Sequence, residues 1–298
     1  ISSEIEHSSI LTPLLELERS SFEVVRVAPD SDGRIDPERV LGAIGSNRDT
    51  ALVTLGLANS EVGTIQDLAP LSAACREAGA IFHIDGAQAV GRISVDVNAL
   101  GCDLMTVSGH KLGAPAGIGA LYIRDSAQVA PSIFGGPQEA GRRAGTPNLL
   151  GAIAFGASAA ALMHSMPDES SRVATLTATL LDRLREAIPG LKLNGPLTRR
   201  IPNTLNLTFP NVLGESMLIA LDLAGVEVSM GSACAAGAVE PSHVLLSMGR
   251  ARADARSSLR ISVGWNTTGE EIDAVATIIP EVWRRVADAE PLAEGVSR

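Results

Sequence analysis

Short apolar segments rich in β-branched residues alternate with stretches of helical periodicity through the first half of the chain. This alternation is typical of an α/β fold, with a mainly parallel sheet and helices on both of its faces. Ligands of such sheets bind at the carboxyl ends of the strands, where the pattern places Ser60, Asp85 and Ser108. Strands are predicted over 22–28, 51–58, 80–85, 104–108 and 118–123, and helices over 11–20, 37–45 and 67–79.

The pattern changes near residue 150. An Ala-rich helix over 149–166 precedes a long amphipathic stretch, 169–188, that could bridge two domains. A second unit then contains strands at 203–209 and 258–264, a helix at 214–225 and a closing helix. The 298 residues, 45% of them apolar, suffice for two cores. We therefore predict a large domain over 1–165 and a smaller α+β domain over 166–298.

The closing helix carries its own start signal. Thr268 and Glu271 have the spacing of a capping box, in which each side chain bonds the backbone of the other residue. Its predicted apolar face is Ile272, Val275, Ile279, Val282, Trp283 and Val286.

Charge and cysteine content exclude several classes of protein. A net charge of −10 argues against a nucleic-acid surface, and the compact basic run at 141–146 is too small to change that. No apolar run approaches the roughly 20 residues of a bilayer span, and no secretion signal is recognisable, so we expect a cytoplasmic protein without a membrane partner. Cys75, Cys102 and Cys234 lack disulfide or zinc spacing, so we expect no metal and a thiol role for any cysteine that matters.

Lys111 is unusual because only it and Lys192 are lysines among 24 basic residues. It follows the predicted strand 104–108 and a Ser-Gly-His turn. A lysine in a strand-end cleft can form a Schiff base with a carbonyl, most often that of pyridoxal phosphate, whereas arginine cannot. The competing interpretation is an ordinary surface lysine.

Asp85 and Cys234 also have two interpretations each. Asp85 ends a buried strand, where a carboxylate can keep a pyridine nitrogen protonated or can cap a following helix. Cys234 lies in a loop of small residues, where a thiol can stay exposed and reactive. Cys75 and Cys102 instead fit buried structural positions.

Seven blocks of sequence together resemble one enzyme family, and they occur along the whole chain in the same order as in that family. They identify the chain as similar to cysteine desulfurases of the NifS/IscS type, within the class V aminotransferase-like, fold-type I pyridoxal-phosphate enzymes. The resemblance implies a seven-stranded-type sheet flanked by helices and a smaller C-terminal domain. The blocks are IEHSSIL, NSEVGTIQDL, HIDGAQAVG, DLMTVSGHKLGAPAGIGALYIR, GGPQEAGRRAGTPNLLG, GSACAAGAVEPSHVL and SSLRISVGWNTTGEEID.

The resemblance assigns roles around pyridoxal 5'-phosphate. Lys111 resembles the lysine that bonds the cofactor, and His7 resembles the imidazole that stacks on the ring and moves protons. The remaining cofactor contacts that it implies are Asp85 with the ring nitrogen, Gln88 with the ring hydroxyl, and Ser108, His110 and, across a dimer interface, Thr146 with the phosphate.

It also implies the reaction. Arg260 resembles the arginine that holds the substrate carboxylate, and Cys234 resembles the nucleophile that takes sulfur from L-cysteine, leaving a persulfide and L-alanine. A homodimer is implied, as is a sulfur acceptor or iron–sulfur scaffold protein whose identity the resemblance leaves open. Selenocysteine lyase, another class V enzyme and an inactive remnant stay as alternatives.

Two departures from the family pattern stand out. Ser60 takes the place of the second Asn in the family's Asn-Asn-Glu, beside the ring and the substrate, where a serine reaches less far. Family members also carry a further segment before the part that matches Ile1, including a phosphate-binding loop at a helix N-terminus. We expect weaker cofactor retention from a chain without that segment.

Overall fold

The computed structural model describes residues 1–46, 49–231 and 240–289. The chain divides into two compact units, each built from separate stretches of sequence. The first comprises Ile1–Ser2, Pro37–Leu57 and Asp67–Pro167, and the second comprises Ser3–Asp36, Ala58–Gln66 and the chain from Asp168 onward.

The first unit is built on a sheet whose strands lie in the order β3 (Leu52–Gly56), β4 (Ile81–Asp85), β5 (Leu104–Ser108) and β6 (Gly119–Ile123). Strands β3, β4 and β5 are parallel, and β6 pairs antiparallel with β5. The described sheet has four strands, fewer than the seven of the fold type, and its parallel part confirms the predicted α/β class.

Helix α2 (Pro37–Ser46) precedes β3, and helices α3 (Leu71–Ala78) and α4 (Val97–Leu100) connect β3 to β4 and β4 to β5. Val53, Phe82 and Ile84 of the sheet are buried. Helices α3 and α4 both end in a left-handed glycine, at Gly79 and Gly101. At Gly101 a Cβ would collide with the Ser72 side chain, so the position also requires glycine for space.

Helix α5 (Leu149–Ala187) is continuous, where the sequence predicted two helical stretches. It runs through Pro167, the residue at which the two units divide. One 18-residue window of α5 is long and apolar enough to cross a membrane by length and composition, a weak criterion, and only 6% of that window is buried. The sequence analysis found no apolar run near the length of a bilayer span, and this window of α5 corrects that expectation.

The second unit contains an antiparallel sheet of β7 (Lys192–Asn194), β8 (Thr204–Thr208) and β9 (Ser258–Ser262), covered by helices. The helices are α1 (Ser8–Arg19), α6 (Gly214–Leu223), α7 (His243–Ser247), α8 (Arg252–Arg256) and α9 (Gly269–Ala289), and a short strand pair is formed by β1 (Ser2–Ser3) and β2 (Arg26–Val27). Strand β8 is buried along its whole length, and α6 packs against α9. Buried apolar residues of α5, β8, β9, α6 and α9 form one core.

The predicted capping box of the closing helix is confirmed. The Thr268 backbone N–H donates to the Glu271 carboxylate at 2.8 Å, and the Glu271 N–H donates to the Thr268 hydroxyl at 3.2 Å. The predicted apolar face of α9 packs into the core, with Ile272, Ile279, Val282 and Val286 buried.

The predicted domains, 1–165 and 166–298, differ from the two units in one respect. The change near residue 166 lies close to Pro167, but Ser3–Asp36 and Ala58–Gln66 group with the second unit. Hydrogen bonds over long sequence separations cause this grouping. They join His243 to the Glu6 carbonyl, Arg250 to the Ser31 carbonyl and Ser242 to Glu61.

Candidate active site

Four of the predicted cofactor residues lie at one edge of the first unit's sheet. Asp85 is the last residue of β4, and Ser108 is the last residue of β5. A short 3-10 turn, Gly109–Leu112, follows β5 and carries His110 and Lys111. Because β4 and β5 are neighbouring parallel strands, their carboxyl ends present these side chains at the same edge.

Asp85 is held by two hydrogen bonds to the same carboxylate oxygen. Oδ1 accepts from the Ala87 backbone N–H at 2.9 Å and from the Thr106 hydroxyl at 3.2 Å. The first bond closes a turn after the strand, so Asp85 does not cap a following helix as the sequence also suggested, and the next described helix begins only at Val97. Both bonds that the described residues make to this carboxylate therefore fall on Oδ1, and neither uses Oδ2.

The turn that carries Lys111 is tightly built. The Ser108 hydroxyl and His110 Nδ1 are 2.9 Å apart, within hydrogen-bond distance. The Gly109 N–H donates to the Ile118 carbonyl at 3.0 Å, and a Cβ on Gly109 would approach that oxygen to 2.8 Å. Only glycine fits this close approach, which explains the Ser-Gly-His sequence before Lys111.

Thr54 of β3 and His83 of β4 are paired two residues before the carboxyl ends of these strands. The Thr54 hydroxyl and His83 Nδ1 are 2.7 Å apart, and both side chains are buried. Burial lowers the pKa of His83 below its ordinary value, although the nearby Asp85 opposes the shift. His83 is therefore neutral at pH 7. Gln88 is half-buried, and its backbone carbonyl accepts from Arg92 at 3.1 Å.

The second unit brings together the two predicted substrate residues. Arg260 of β9 donates from its guanidinium to the Ser60 backbone carbonyl at 3.2 Å. The Arg260 backbone also exchanges two hydrogen bonds with Ser229, which fixes its place on the strand. Asn59, next to Ser60, holds the loop in place by accepting from the Glu61 and Val62 N–H groups.

His7 of the second unit caps helix α1. Its Nδ1 accepts from the Ser9 backbone N–H at 3.1 Å. A ring nitrogen that accepts from a backbone N–H carries no proton, so this bond assigns the proton of the neutral ring to Nε2. His7 thus combines a capping role with a nitrogen that can donate.

The other predicted site residues are not tested by these contacts. Thr146 lies in an exposed loop before α5, and its role towards a second protomer stays a prediction. Cys234 lies outside the described residues. The sequence analysis did not identify Thr106, whose hydroxyl bonds Asp85, as a residue of this edge. The signal was present, because Thr106 and Ser108 alternate on one face of an otherwise apolar strand.

The side chains at this edge of the sheet match the chemical groups of pyridoxal phosphate. An amine can bond the aldehyde, an acceptor carboxylate with a second oxygen suits the ring nitrogen, and a hydroxyl and an imidazole suit the phosphate. The fold is that of an α/β enzyme, and the side chains at this edge are of the types that could hold this cofactor.

Comparison with known proteins gives the family. The family model for class-V aminotransferases matches residues 1–275. The cysteine desulfurase IscS of Clostridium botulinum is 38% identical over 296 residues, which cover 99% of this chain and 74% of that protein. The chain therefore belongs to the class-V aminotransferases, and within them to the cysteine desulfurase group.

Solved structures agree with this assignment. A NifS-like protein from Rickettsia africae has a TM-score of 0.86 and 31% identity, covering 95% of this chain and 75% of that one. A structure described as SspA in complex with cysteine has a TM-score of 0.73 and 30% identity, covering 88% and 72%. The chain thus spans about three quarters of the length of the relatives that it matches.

Proposed function

We propose that this protein is a pyridoxal-phosphate-dependent cysteine desulfurase that converts L-cysteine to L-alanine and keeps the sulfur as a persulfide on Cys234. The observation that carries the proposal is the edge of the sheet, where Asp85 is fixed by two hydrogen bonds beside the strand that leads into Lys111. The family match supports the same reaction.

The first unit holds the cofactor in this proposal. Lys111 supplies the amine that bonds the aldehyde carbon, and Asp85 accepts from the ring nitrogen through its second oxygen. Gln88 contacts the ring hydroxyl, while Ser108 and His110 contact the phosphate, with Thr146 reaching the phosphate of the neighbouring protomer. When bound, pyridoxal phosphate withdraws electrons from the bonds of the substrate amino acid.

The second unit supplies the substrate contacts. Arg260 pairs with the substrate carboxylate through its planar guanidinium, which the Ser60 carbonyl orients. The Ser60 hydroxyl lies in place of the longer family Asn and contacts ring and substrate more weakly. His7 stacks on the ring and moves a proton at Nε2, because Nδ1 is engaged in capping.

The sulfur step balances without an external oxidant or reductant. The Cys234 thiolate attacks the substrate sulfur, a new S–S bond forms, and the substrate C–S bond breaks with its electron pair on carbon. A proton taken up at that carbon completes L-alanine. Cysteine and the enzyme thiol thus become alanine and an enzyme persulfide, which then passes to a sulfur acceptor or an iron–sulfur scaffold protein.

An exposed apolar surface supports a homodimer. Within the first unit, Phe134, Leu150 and Met163 are 84%, 80% and 81% exposed. Leu149 and Ile153 extend the surface along the first half of α5. Exposed apolar side chains grouped along one helix of a folded protein mark an interaction site. We propose that a second copy of the chain covers this surface, rather than a lipid bilayer.

Replacement of Leu150 by Arg tests the dimer. The wild type should elute as a dimer in light scattering without detergent, and the variant should shift to monomer. Replacement of the equally exposed Leu223, which lies in the second unit, is the matched control and should leave the dimer intact. A wild type that is monomeric, or that requires detergent to stay in solution, would contradict the proposal.

We propose a cytoplasmic location. The two cysteines in the described part of the chain are free thiols, and persulfide chemistry at Cys234 needs a reduced thiol.

The activity is tested by mixing the protein with pyridoxal phosphate and L-cysteine, then following alanine, sulfide and the visible absorbance of lysine-bound cofactor. Lys111→Arg should abolish the absorbance, because arginine keeps the charge but cannot form the imine. Cys234→Ser should retain the absorbance and lose alanine production. Alanine formed at the wild-type rate by Cys234→Ser would refute the assigned nucleophile, and a parallel assay with L-selenocysteine separates the lyase alternative.

A further inference from the structure

Thr106 is the partner of Asp85 on the adjacent strand. The two residues are paired in the register of β4 and β5, and the Thr106 hydroxyl donates to Asp85 Oδ1 at 3.2 Å. The Thr106 backbone is held from both sides, because it pairs with Leu121 of β6 and its carbonyl accepts from the Gly86 N–H at 2.9 Å. A β-branched side chain on a fixed strand has few rotamers, so the direction of this hydroxyl is set by the fold.

The Thr106 hydroxyl affects the terminal torsion of the Asp85 side chain, which sets the plane of the carboxylate. The terminal torsion of an Asp side chain is broad, so one hydrogen bond leaves the carboxylate plane free to turn. The Ala87 N–H approaches Oδ1 from the turn after β4, and the Thr106 hydroxyl approaches it from β5. Two donors from different elements fix the plane, and with it the direction of Oδ2.

We propose that Thr106 is a positioning residue, which orients the Asp85 carboxylate so that Oδ2 is presented to the ring nitrogen of the cofactor. The inference rests on the proposed function, since that function places the ring nitrogen at Asp85. A turn at the end of β4 would need only the Ala87 bond. The Thr106 hydroxyl donates to Oδ1, the same oxygen that the turn already uses. It therefore serves to orient the other oxygen, Oδ2.

The test compares Thr106→Val, which removes only the hydroxyl, with Thr106→Ser, which restores it. Thr177→Val is the control for loss of a threonine hydroxyl, because Thr177 is also β-branched, is buried where Thr106 is half-buried, and its hydroxyl makes no hydrogen bond within the described residues. Each purified protein is measured for pyridoxal-phosphate affinity by equilibrium dialysis, for the circular dichroism of the bound cofactor, and for thermal unfolding without cofactor.

Thr106→Val should bind pyridoxal phosphate about tenfold more weakly, the scale of one hydrogen bond to a charged group. Its cofactor dichroism should change, and its unfolding temperature without cofactor should stay near that of the wild type. Thr106→Ser should recover most of the affinity, and Thr177→Val should match the wild type.

Two results overturn the inference alone: wild-type affinity and dichroism in Thr106→Val, or an equal loss in Thr106→Val and Thr177→Val. A wild-type protein that binds no pyridoxal phosphate would instead overturn the proposed function, and this inference with it.

Discussion

The Ser242 hydroxyl makes two hydrogen bonds, and its removal should lower the free energy of unfolding. The residue follows the segment that contains Cys234 and caps helix α7, where its oxygen accepts from the Leu245 N–H at 3.2 Å. The same hydroxyl donates its proton to the Glu61 carboxylate, which is only 2% exposed. Ser242→Ala therefore removes a helix cap and a donor to a buried charge in a single change.

The size of the effect can be worked out from these contacts. Loss of a Ser cap costs about 1 kcal/mol, and loss of a hydrogen bond to a charged group costs about 1.5–3 kcal/mol. Because both bonds share one oxygen, the two losses should not add fully. We expect the free energy of unfolding to fall by about 3 kcal/mol in Ser242→Ala, measured by urea denaturation followed by circular dichroism.

Two further variants separate the contributions. Ser242→Asn keeps a good cap and an N–H donor, so it should lose about 1 kcal/mol. In a Glu61→Gln background the Ser242→Ala change should cost about 1 kcal/mol less, because the buried partner is then neutral. Ser46→Ala, at an exposed helix end, should change stability by under about 0.5 kcal/mol. A cost below about 1 kcal/mol for Ser242→Ala, or no coupling to Glu61, would refute this reasoning.

Three other predictions concern buried polar groups and thiols. Asn194 donates to Asn206, Thr208 and Ser258 across the second unit's sheet, so Asn194→Ala should lower the free energy of unfolding by about 2–4 kcal/mol, measured by urea denaturation. Asn194→Asp should cost more, because it buries a charge and sets a carboxylate oxygen against the Asn206 amide oxygen. Burial raises the pKa of Cys75 to about 11 and also raises the pKa of Cys102, so at pH 8 only about one Cys75 thiol in a thousand is ionised. Iodoacetamide should therefore label one cysteine per native chain, Cys234, and none in Cys234→Ser, as measured by mass spectrometry. Burial lowers the pKa of His83 from 6.5, so between that lowered pKa and pH 6.5 the unfolded state binds more protons than the folded state. The free energy of unfolding should therefore be highest above pH 6.5 and fall as the pH decreases through this window, and it should fall less in His83→Gln.

Local patterns predicted the parts of the site that lie within single elements. The strand ends at Asp85 and Ser108 follow from buried runs that stop at polar residues, and the Thr268–Glu271 box follows from a four-residue motif. Helix α1 begins at Ser8, earlier than the predicted 11, because the His7 side chain acts as the cap. Histidine is not a usual residue for that position, so the sequence offered little sign of it.

Contacts between distant segments were not predictable from local patterns. Thr106 is 21 residues from Asp85, and their hydrogen bond arises only from the register of β4 and β5. The grouping of Ser3–Asp36 with the second unit likewise depends on bonds such as that from His243 to the Glu6 carbonyl. Periodicity gives the face on which a side chain lies, but not the strand or loop that meets it.

The distribution of the proposed roles between the units makes them separable by experiment. Most of the groups proposed to hold the cofactor, among them Asp85 and Lys111, belong to the first unit, whereas Arg260, which is proposed to contact the substrate alone, belongs to the second. Changes in the first group should alter pyridoxal-phosphate affinity before any substrate is added. Arg260→Lys keeps the charge but loses the two-pronged geometry, so it should raise the KM for L-cysteine and leave cofactor affinity unchanged. A loss of cofactor affinity in Arg260→Lys would place Arg260 in the cofactor site and contradict this separation.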